Sequence, residues 1–254
     1  MVRIFALSDV HADFEPNARW LRSLSLHDHQ ADVLILAGDI SDSLPLLGWC
    51  LELVARRFHK VLFVPGNHEL WTLRDRPRLG SLEKFERVRA LARDSGASME
   101  PFRLPELAIV PLLAWYDYSF GSPATELKQA WMDFHACLWP EGWGAPEVTA
   151  RFLALNASAL TEASVKIISF SHFLPRPELV PRRGAAQTLD LSPVLGSAAL
   201  DRQVRQLGAT LHVYGHSHVN RRTVIDGVTY VNNAFGYPHE TAITAKRLVR
   251  VLEL

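Results

Sequence analysis

Apolar residues arrive in short unbroken runs, and several runs stop at residues suited to chemistry. Residues 4–7 (Ile-Phe-Ala-Leu) lead through Ser8 into Asp9-Val10-His11. Residues 32–37 end in Gly38-Asp39, and residues 60–64 end in Pro65-Gly66-Asn67-His68-Glu69. Runs this short, rich in Val, Ile and Leu and bounded by turn residues, predict buried strands. Between them the period lengthens to that of a helix. Trp20, Leu21 and Leu24 stripe a predicted helix over residues 15–26, with Pro16 in its first turn. Leu47, Cys50, Leu51 and Val54 stripe a second, with Ser43 as its N-cap and Pro45 in the first turn. Strand and helix in alternation predict parallel βαβ units.

The later chain continues the pattern with one interruption. Residues 70–80 form a polar loop. Leu82, Phe85, Val88 and Leu91 mark a helix over 81–93, and residues 107–114 make another apolar strand. From Trp115 to Trp143 the composition shifts, with tryptophans at 115, 131, 139 and 143 among Gly and Pro and no clean period. This stretch is expected to be an insertion packed beside the mouth of the sheet, as a satellite hydrophobic cluster or as a ligand contact. Helix resumes over 148–160. Residues 165–170 form a strand that ends in Ser171-His172, and residues 173–197 are loop-rich. A short helix over 199–207 precedes a strand over 210–214, which ends in Gly215-His216-Ser217-His218. Asp226-Gly227, between apolar runs, signals a type I′ hairpin. Residues 248–254 alternate as a last strand. With no repeat or flexible linker, residues 1–254 are expected to form a single domain.

Composition removes some function classes. Lys+Arg and Asp+Glu both number 27, so the formal charge is zero. The broad basic footprint of a nucleic-acid binder is missing, and a nucleic-acid partner is not expected. Cys50 and Cys137 form neither a disulfide framework nor a zinc-finger spacing. No signal-peptide pattern opens the chain, and no apolar run reaches membrane-spanning length. A soluble, cytoplasmic protein without a membrane partner is the expectation.

The strand ends carry the chemistry. In open α/β sheets, ligand sites lie where parallel strands end. Here Asp9 and His11, Asp39, Asn67, His172, and His216 with His218 each follow an apolar strand. Any one of them has an ordinary explanation, such as a turn or cap for Asp39. Five strand ends with the same property in one chain point to a shared site, and Asp with His suits a divalent metal.

The order of these motifs resembles the calcineurin-like metallophosphoesterase superfamily. The family pattern stands here as Asp9-Val10-His11, Gly38-Asp39, Gly66-Asn67-His68-Glu69, Ser171-His172 and Gly215-His216-Ser217-His218. Ser171 departs from the usual glycine. The resemblance implies a four-layer α/β/β/α sandwich of two mixed sheets flanked by helices. It implies two divalent metal ions per chain, one held by Asp9, His11, Asp39 and His218, the other by Asp39, Asn67, His172 and His216. Asp39 would bridge them, as two ions about 3.5–4 Å apart require. Four imidazoles disfavour magnesium and calcium. The mixed nitrogen and oxygen shell fits manganese first, with iron or zinc as alternatives.

By the same resemblance, the expected activity is hydrolysis of a phosphate ester by a metal-bound hydroxide, since a metal lowers the pKa of bound water to about 7. The alternative is a phosphodiesterase acting on a small diester or a phosphopantetheine-like group rather than a phosphomonoesterase. A nuclease or a non-catalytic module on the same fold ranks below both. The expected partner is a phosphorylated small-molecule or carrier-linked substrate. His68 is expected to be catalytic, either as a general acid for the leaving alkoxide or as a phosphate-binding group. Glu69 would orient a histidine or lie at the surface. Arg182 and Arg183 sit in a proline-broken loop after His172, and a guanidinium fork matches phosphate oxygens. They are candidates for substrate binding, beside the Trp-rich stretch at about 115–143.

Overall fold

The structure is a computed structural model that describes residues 1–161, 166–182 and 189–254. Four strands open it: β1 (Arg3–Leu7), β2 (Val33–Ala37), β3 (Lys60–Val64) and β4 (Ala97–Ser98), side by side and parallel. The second sheet holds β5 (Phe102–Leu104), β6 (Leu107–Pro111), β7 (Ile167–Phe170), β8 (Leu211–Tyr214), β9 (Arg221–Ile225) and β10 (Val228–Asn232). Its order is β5-β6-β7-β8-β10-β9, with antiparallel pairs only at the two edges. The chain then returns to the first sheet, where β11 (Val249–Glu253) lies antiparallel to β1. Both sheets are mixed.

Side-chain alternation explains the layers. On the first sheet Ile4, Ala6, Val33, Ile35, Leu62 and Val64 face inward, against Ile109, Ile168, Phe170 and Val213 of the second. Their neighbours Phe5, Leu7, Leu34, Leu36, Val61 and Phe63 face the other way. That outer face is covered by α1 (Glu15–Ser23), α2 (Leu44–Ala55) and α3 (Ser81–Asp94). Between the sheets' strands come α4 (Thr125–Ala130), α5 (Asp133–Ala136) and α6 (Ala145–Leu155). The outer face of the second sheet packs on α6 and α7 (Ala198–Gln206), through Leu153, Leu200 and Val204. This is the four-layer α/β/β/α sandwich. Strands buried on both faces read as continuous apolar runs, which is why the sequence shows runs and not alternation.

Local chemistry sets the boundaries. The helix expected over residues 15–26 stops at Ser23, because the Ser25 hydroxyl takes the N–H groups of His27 and Asp28 in a competing turn. The strand expected over 107–114 ends at Pro111, and Leu113 pairs both its backbone groups with the Asn156 side chain. The same asparagine ends α6 at Leu155, where helix was expected to reach 160. That helix starts earlier than expected, at Ala145, where Glu147 reaches back to the Gly144 N–H at 2.9 Å. The hairpin forms as expected, with φ of 49° at Asp226 and 83° at Gly227. The Trp-rich stretch builds a separate apolar cluster around Trp115, Tyr116, Phe152 and Phe173, with Trp131, Trp139 and Trp143 packed on it. β4 and β5, at two and three residues, are too short to leave a periodic signal. No helix among the described residues is long and apolar enough to cross a membrane.

Candidate metal centre

The C-terminal ends of β1, β2, β3, β7 and β8 converge. The Nδ1–H of His172, after β7, donates to the carbonyl of Ala37 at the end of β2, 2.8 Å away. Asp9, His11, Asp39 and His218 form one group whose ligand atoms lie within 4.8 Å of one another. Asp39, His172 and His216 form a second. Asp39 belongs to both. The amide oxygen of Asn67 lies beside the second group, 3.1 Å from His172 Nε2.

Ring tautomers test whether these groups fit cations. His172 spends Nδ1–H on the Ala37 carbonyl, so its Nε2 carries a lone pair. His216 donates Nε2–H to the Val194 carbonyl at 3.0 Å and turns Nδ1 inward. The two inward nitrogens lie 3.0 Å apart. In the first group His218 Nδ1 faces Glu240 at 2.7 Å, and its Nε2 lies 3.0 Å from Nε2 of His11. Nitrogens aimed at a common point, with the rings of His172, His216 and His218 anchored on their far sides, are the arrangement a metal requires.

The electrostatics agree. Burial pushes His11 down to about 3 and His216 well below its ordinary value. His218 is the exception: burial opposes its proton, yet Asp9 and Glu240 raise it to about 10. Asp39 is raised well above the carboxylate range by burial and then by Glu69 and Asp9. Without a cation the buried Asp39 carboxyl favours its neutral form, and a bound cation would favour the ionised one. The donor set fits divalent ions.

The backbone is bent to make the site. Eight non-glycine residues have positive φ among the described residues, and five of them are Asp9, His11, Asp39, His216 and His218. Each such position costs of order 1–3 kcal/mol and persists where surroundings enforce it. Glu69 supplies much of that enforcement. Its Oε1 accepts the N–H groups of Ile40 (2.6 Å) and Ser41 (3.0 Å), and its Oε2 those of Gly66 (2.7 Å) and Asp39 (3.0 Å). Neither expectation for Glu69 holds: it is fully buried and orients a backbone turn, not a histidine. Glu69→Gln leaves two of these N–H groups facing an amide NH₂. The expected loss is roughly 1–3 kcal/mol for each orphaned group, read as a fall in melting temperature with weaker metal retention. Gly66 has to be glycine, since a Cβ there would sit 2.7 Å from His172 Cε1.

Ser171 has no positive φ, so a side chain is tolerated there. Its hydroxyl donates to the Phe173 carbonyl at 2.8 Å and lies 3.0 Å from His212 Nε2. His68 packs between two rings, Trp71 at 3.6 Å and His11 at 4.7 Å between centroids. Burial lowers its pKa well below the ordinary value. With Asp39, Asn67, His216 and His218 it lines a cavity of about 400 Å³. The far wall is largely apolar, made by Trp131, Val180, Leu191, Leu195, Val219 and Ile243. Pro181 lines the same cavity and Arg182 follows it, exposed. Arg183 lies outside the described residues. Sequence reasoning missed Glu240 and Tyr237, which stacks on His11 at 4.4 Å. It also missed Asp133, which accepts the Asn67 Nδ2–H at 2.8 Å. The signals available were Gly236-Tyr237-Pro238 before Glu240 and an acid amid tryptophans.

Residues 2–220 match the family model described as calcineurin-like phosphoesterase. This chain belongs to the calcineurin-like phosphoesterase family. Calcineurin-like phosphoesterases are metal-dependent hydrolases of phosphate esters with a dinuclear centre, and the two groups above are this member's candidates for it. Among curated proteins the chain is 28% identical, over 93% of its own length and 78% of the relative's, to the [acyl-carrier-protein] phosphodiesterase PptH of Mycobacterium tuberculosis. The crystal structure of phosphopantetheinyl hydrolase (PptH) from the same organism superposes with a TM-score of 0.80 at 26% identity. It covers 99% of this chain and 96% of that one.

Proposed function

We propose that this calcineurin-like phosphoesterase is a phosphodiesterase that removes a phosphopantetheine-like group from a carrier-linked substrate. The observation that carries the reading is the likeness to phosphopantetheinyl hydrolase over nearly the full length of both chains, at a TM-score of 0.80. The cavity agrees with it. A polar floor of Asp39, Asn67, His68 and His216 suits a phosphate, and apolar walls suit a flexible arm leading away from it.

In this reading Asp9, His11, Asp39 and His218 hold one ion and Asp39, Asn67, His172 and His216 the other, manganese first, with iron or zinc as alternatives. Bound there, the ions would polarise the phosphoryl oxygens and supply a nucleophile at neutral pH. The remaining work falls to the chain. Glu240, Val194 and Ala37 hold the histidines in their ligating tautomers. Glu69 holds Asp39 in its left-handed turn. His68 faces the cavity beside the scissile phosphate, and Arg182 is the candidate for an anionic contact farther along the substrate.

Manganese-loaded protein is expected to convert holo-acyl carrier protein to the apo form, followed by intact mass, with release of 4′-phosphopantetheine. Turnover of bis(p-nitrophenyl) phosphate without any change in the holo-carrier mass would reject the carrier-linked reading. A preference for phosphomonoesters over diesters would reject the diester reading as well.

A further inference from the structure

Three neutral donors converge on one buried carboxylate, Asp133, at the start of the four-residue helix α5. Asn67 Nδ2–H and Trp71 Nε1–H reach Oδ1 at 2.8 and 2.7 Å. Trp131 Nε1–H reaches Oδ2 at 2.7 Å. Asp133 is 3% exposed, and none of these partners is a cation. Burying a carboxylate among neutral donors is costly, and a phenylalanine or leucine would fill an apolar cluster more cheaply. The place of the charge explains its presence.

An asparagine amide has an acceptor end and a donor end of nearly the same shape. Asn67 presents Oδ1 to His172 Nε2, 3.1 Å away, at the second ligand group. Turned by half a rotation, it would present N–H groups to that point, which no cation tolerates. Asp133 only accepts, so it holds the donor end and forbids that rotation. We propose that Asp133 is a positioning residue that locks the Asn67 amide with its oxygen toward the metal cleft. The same carboxylate grips Trp71, whose ring lies on His68, and Trp131, which forms the cavity wall. The Trp-rich stretch thereby acts as a clamp: it delivers one charge that fixes a ligand, the ring beneath His68 and the substrate-facing wall. This rests on Asn67 serving as a ligand.

The test follows manganese retention against a competing chelator, together with melting temperature. Asn67→Ala is expected to loosen one ion. Asp133→Asn is expected to loosen the same ion by about 10–100-fold, the usual effect of removing a group that orients a ligand. The exchange variant, Asn67→Asp with Asp133→Asn, keeps the charge of the pair and reverses donor and acceptor. It is expected to regain part of the lost retention, with Trp71 Nε1–H losing the oxygen it shares with Asn67, whereas a merely structural role predicts that it fares no better than Asp133→Asn. Should Asp133→Asn fail to fold, Asn67→Asp alone is compared with the exchange variant. Two carboxylates then face each other in the single variant, and the second substitution is expected to restore retention. Wild-type retention in Asp133→Asn, with one ion loosened in Asn67→Ala, would overturn the clamp alone. Two tightly held ions in Asn67→Ala would overturn the ligand assignment and the clamp with it.

Discussion

Asp39→Asn is expected to release both ions and to reduce hydrolysis by far more than the roughly 10–100-fold that follows loss of a supporting hydrogen bond. Asp39 belongs to both ligand groups, and its Oδ2 lies 3.5 Å from His172 Nε2. Its Oδ1 is already engaged by the N–H of His68 at 3.0 Å, so the amide that replaces it cannot turn freely to compensate. The substitution also removes the anion that offsets charge from two sides. Asn67→Ala touches one group and is expected to keep the other ion. Without metal the order of stability reverses. Burial, then Glu69 and Asp9, raises the Asp39 pKa well above the carboxylate range, so the ionised form strains the empty fold. Metal-free Asp39→Asn should therefore melt at or above the wild-type temperature while metal-loaded wild type melts highest. Full metal content with full activity in Asp39→Asn would remove the shared ligand from the account.

His68→Ala is expected to keep its metals and to lose about 10²–10⁴-fold in turnover, the range for a missing general acid or base. Its ring is not in either ligand group, and its Nε2 lies 3.8 Å from Asp39 Oδ2, beyond direct hydrogen-bond reach. Burial holds its pKa well below the ordinary value. A folded-state pKa depressed in a histidine means that the charged ring is disfavoured at neutral pH in the free enzyme. A phosphate anion beside the ring works in the opposite direction and favours the proton. The acid role then predicts a loss that shrinks for nitrophenolate leaving groups, which depart without a proton. An equal loss for good and poor leaving groups would assign His68 to binding the phosphate instead.

Much of this fold was legible because the central strands of each sheet are buried on both faces. Apolar runs such as Val33–Ala37 then mark strands without ambiguity, and the polar residues that end them mark the site. The seven candidate ligands were legible for the same reason: each sits two to four residues past a strand, so topology alone brings them together. The supports were not. Asp133 is 66 residues from Asn67, and Glu240 is 22 from His218, with no periodic pattern linking either pair. Glu69 was misjudged because adjacency to His68 suggests a histidine partner. Its real partners are backbone N–H groups, which every residue carries and which therefore leave no trace in sequence. The left-handed backbone at Asp9, His11 and Asp39 is equally silent, since these positions are not glycine. The Trp-rich stretch showed its composition but not its purpose, which lies in one aspartate among the rings.

Anomalous diffraction from crystals soaked in manganese tests the central claim most directly. The account predicts two peaks about 3.5–4 Å apart, the separation of two-metal sites. One should be ringed by Asp9, His11, Asp39 and His218, the other by Asp39, Asn67, His172 and His216, with Asp39 touching both. A single peak, or a pair that Asp39 does not bridge, would contradict it.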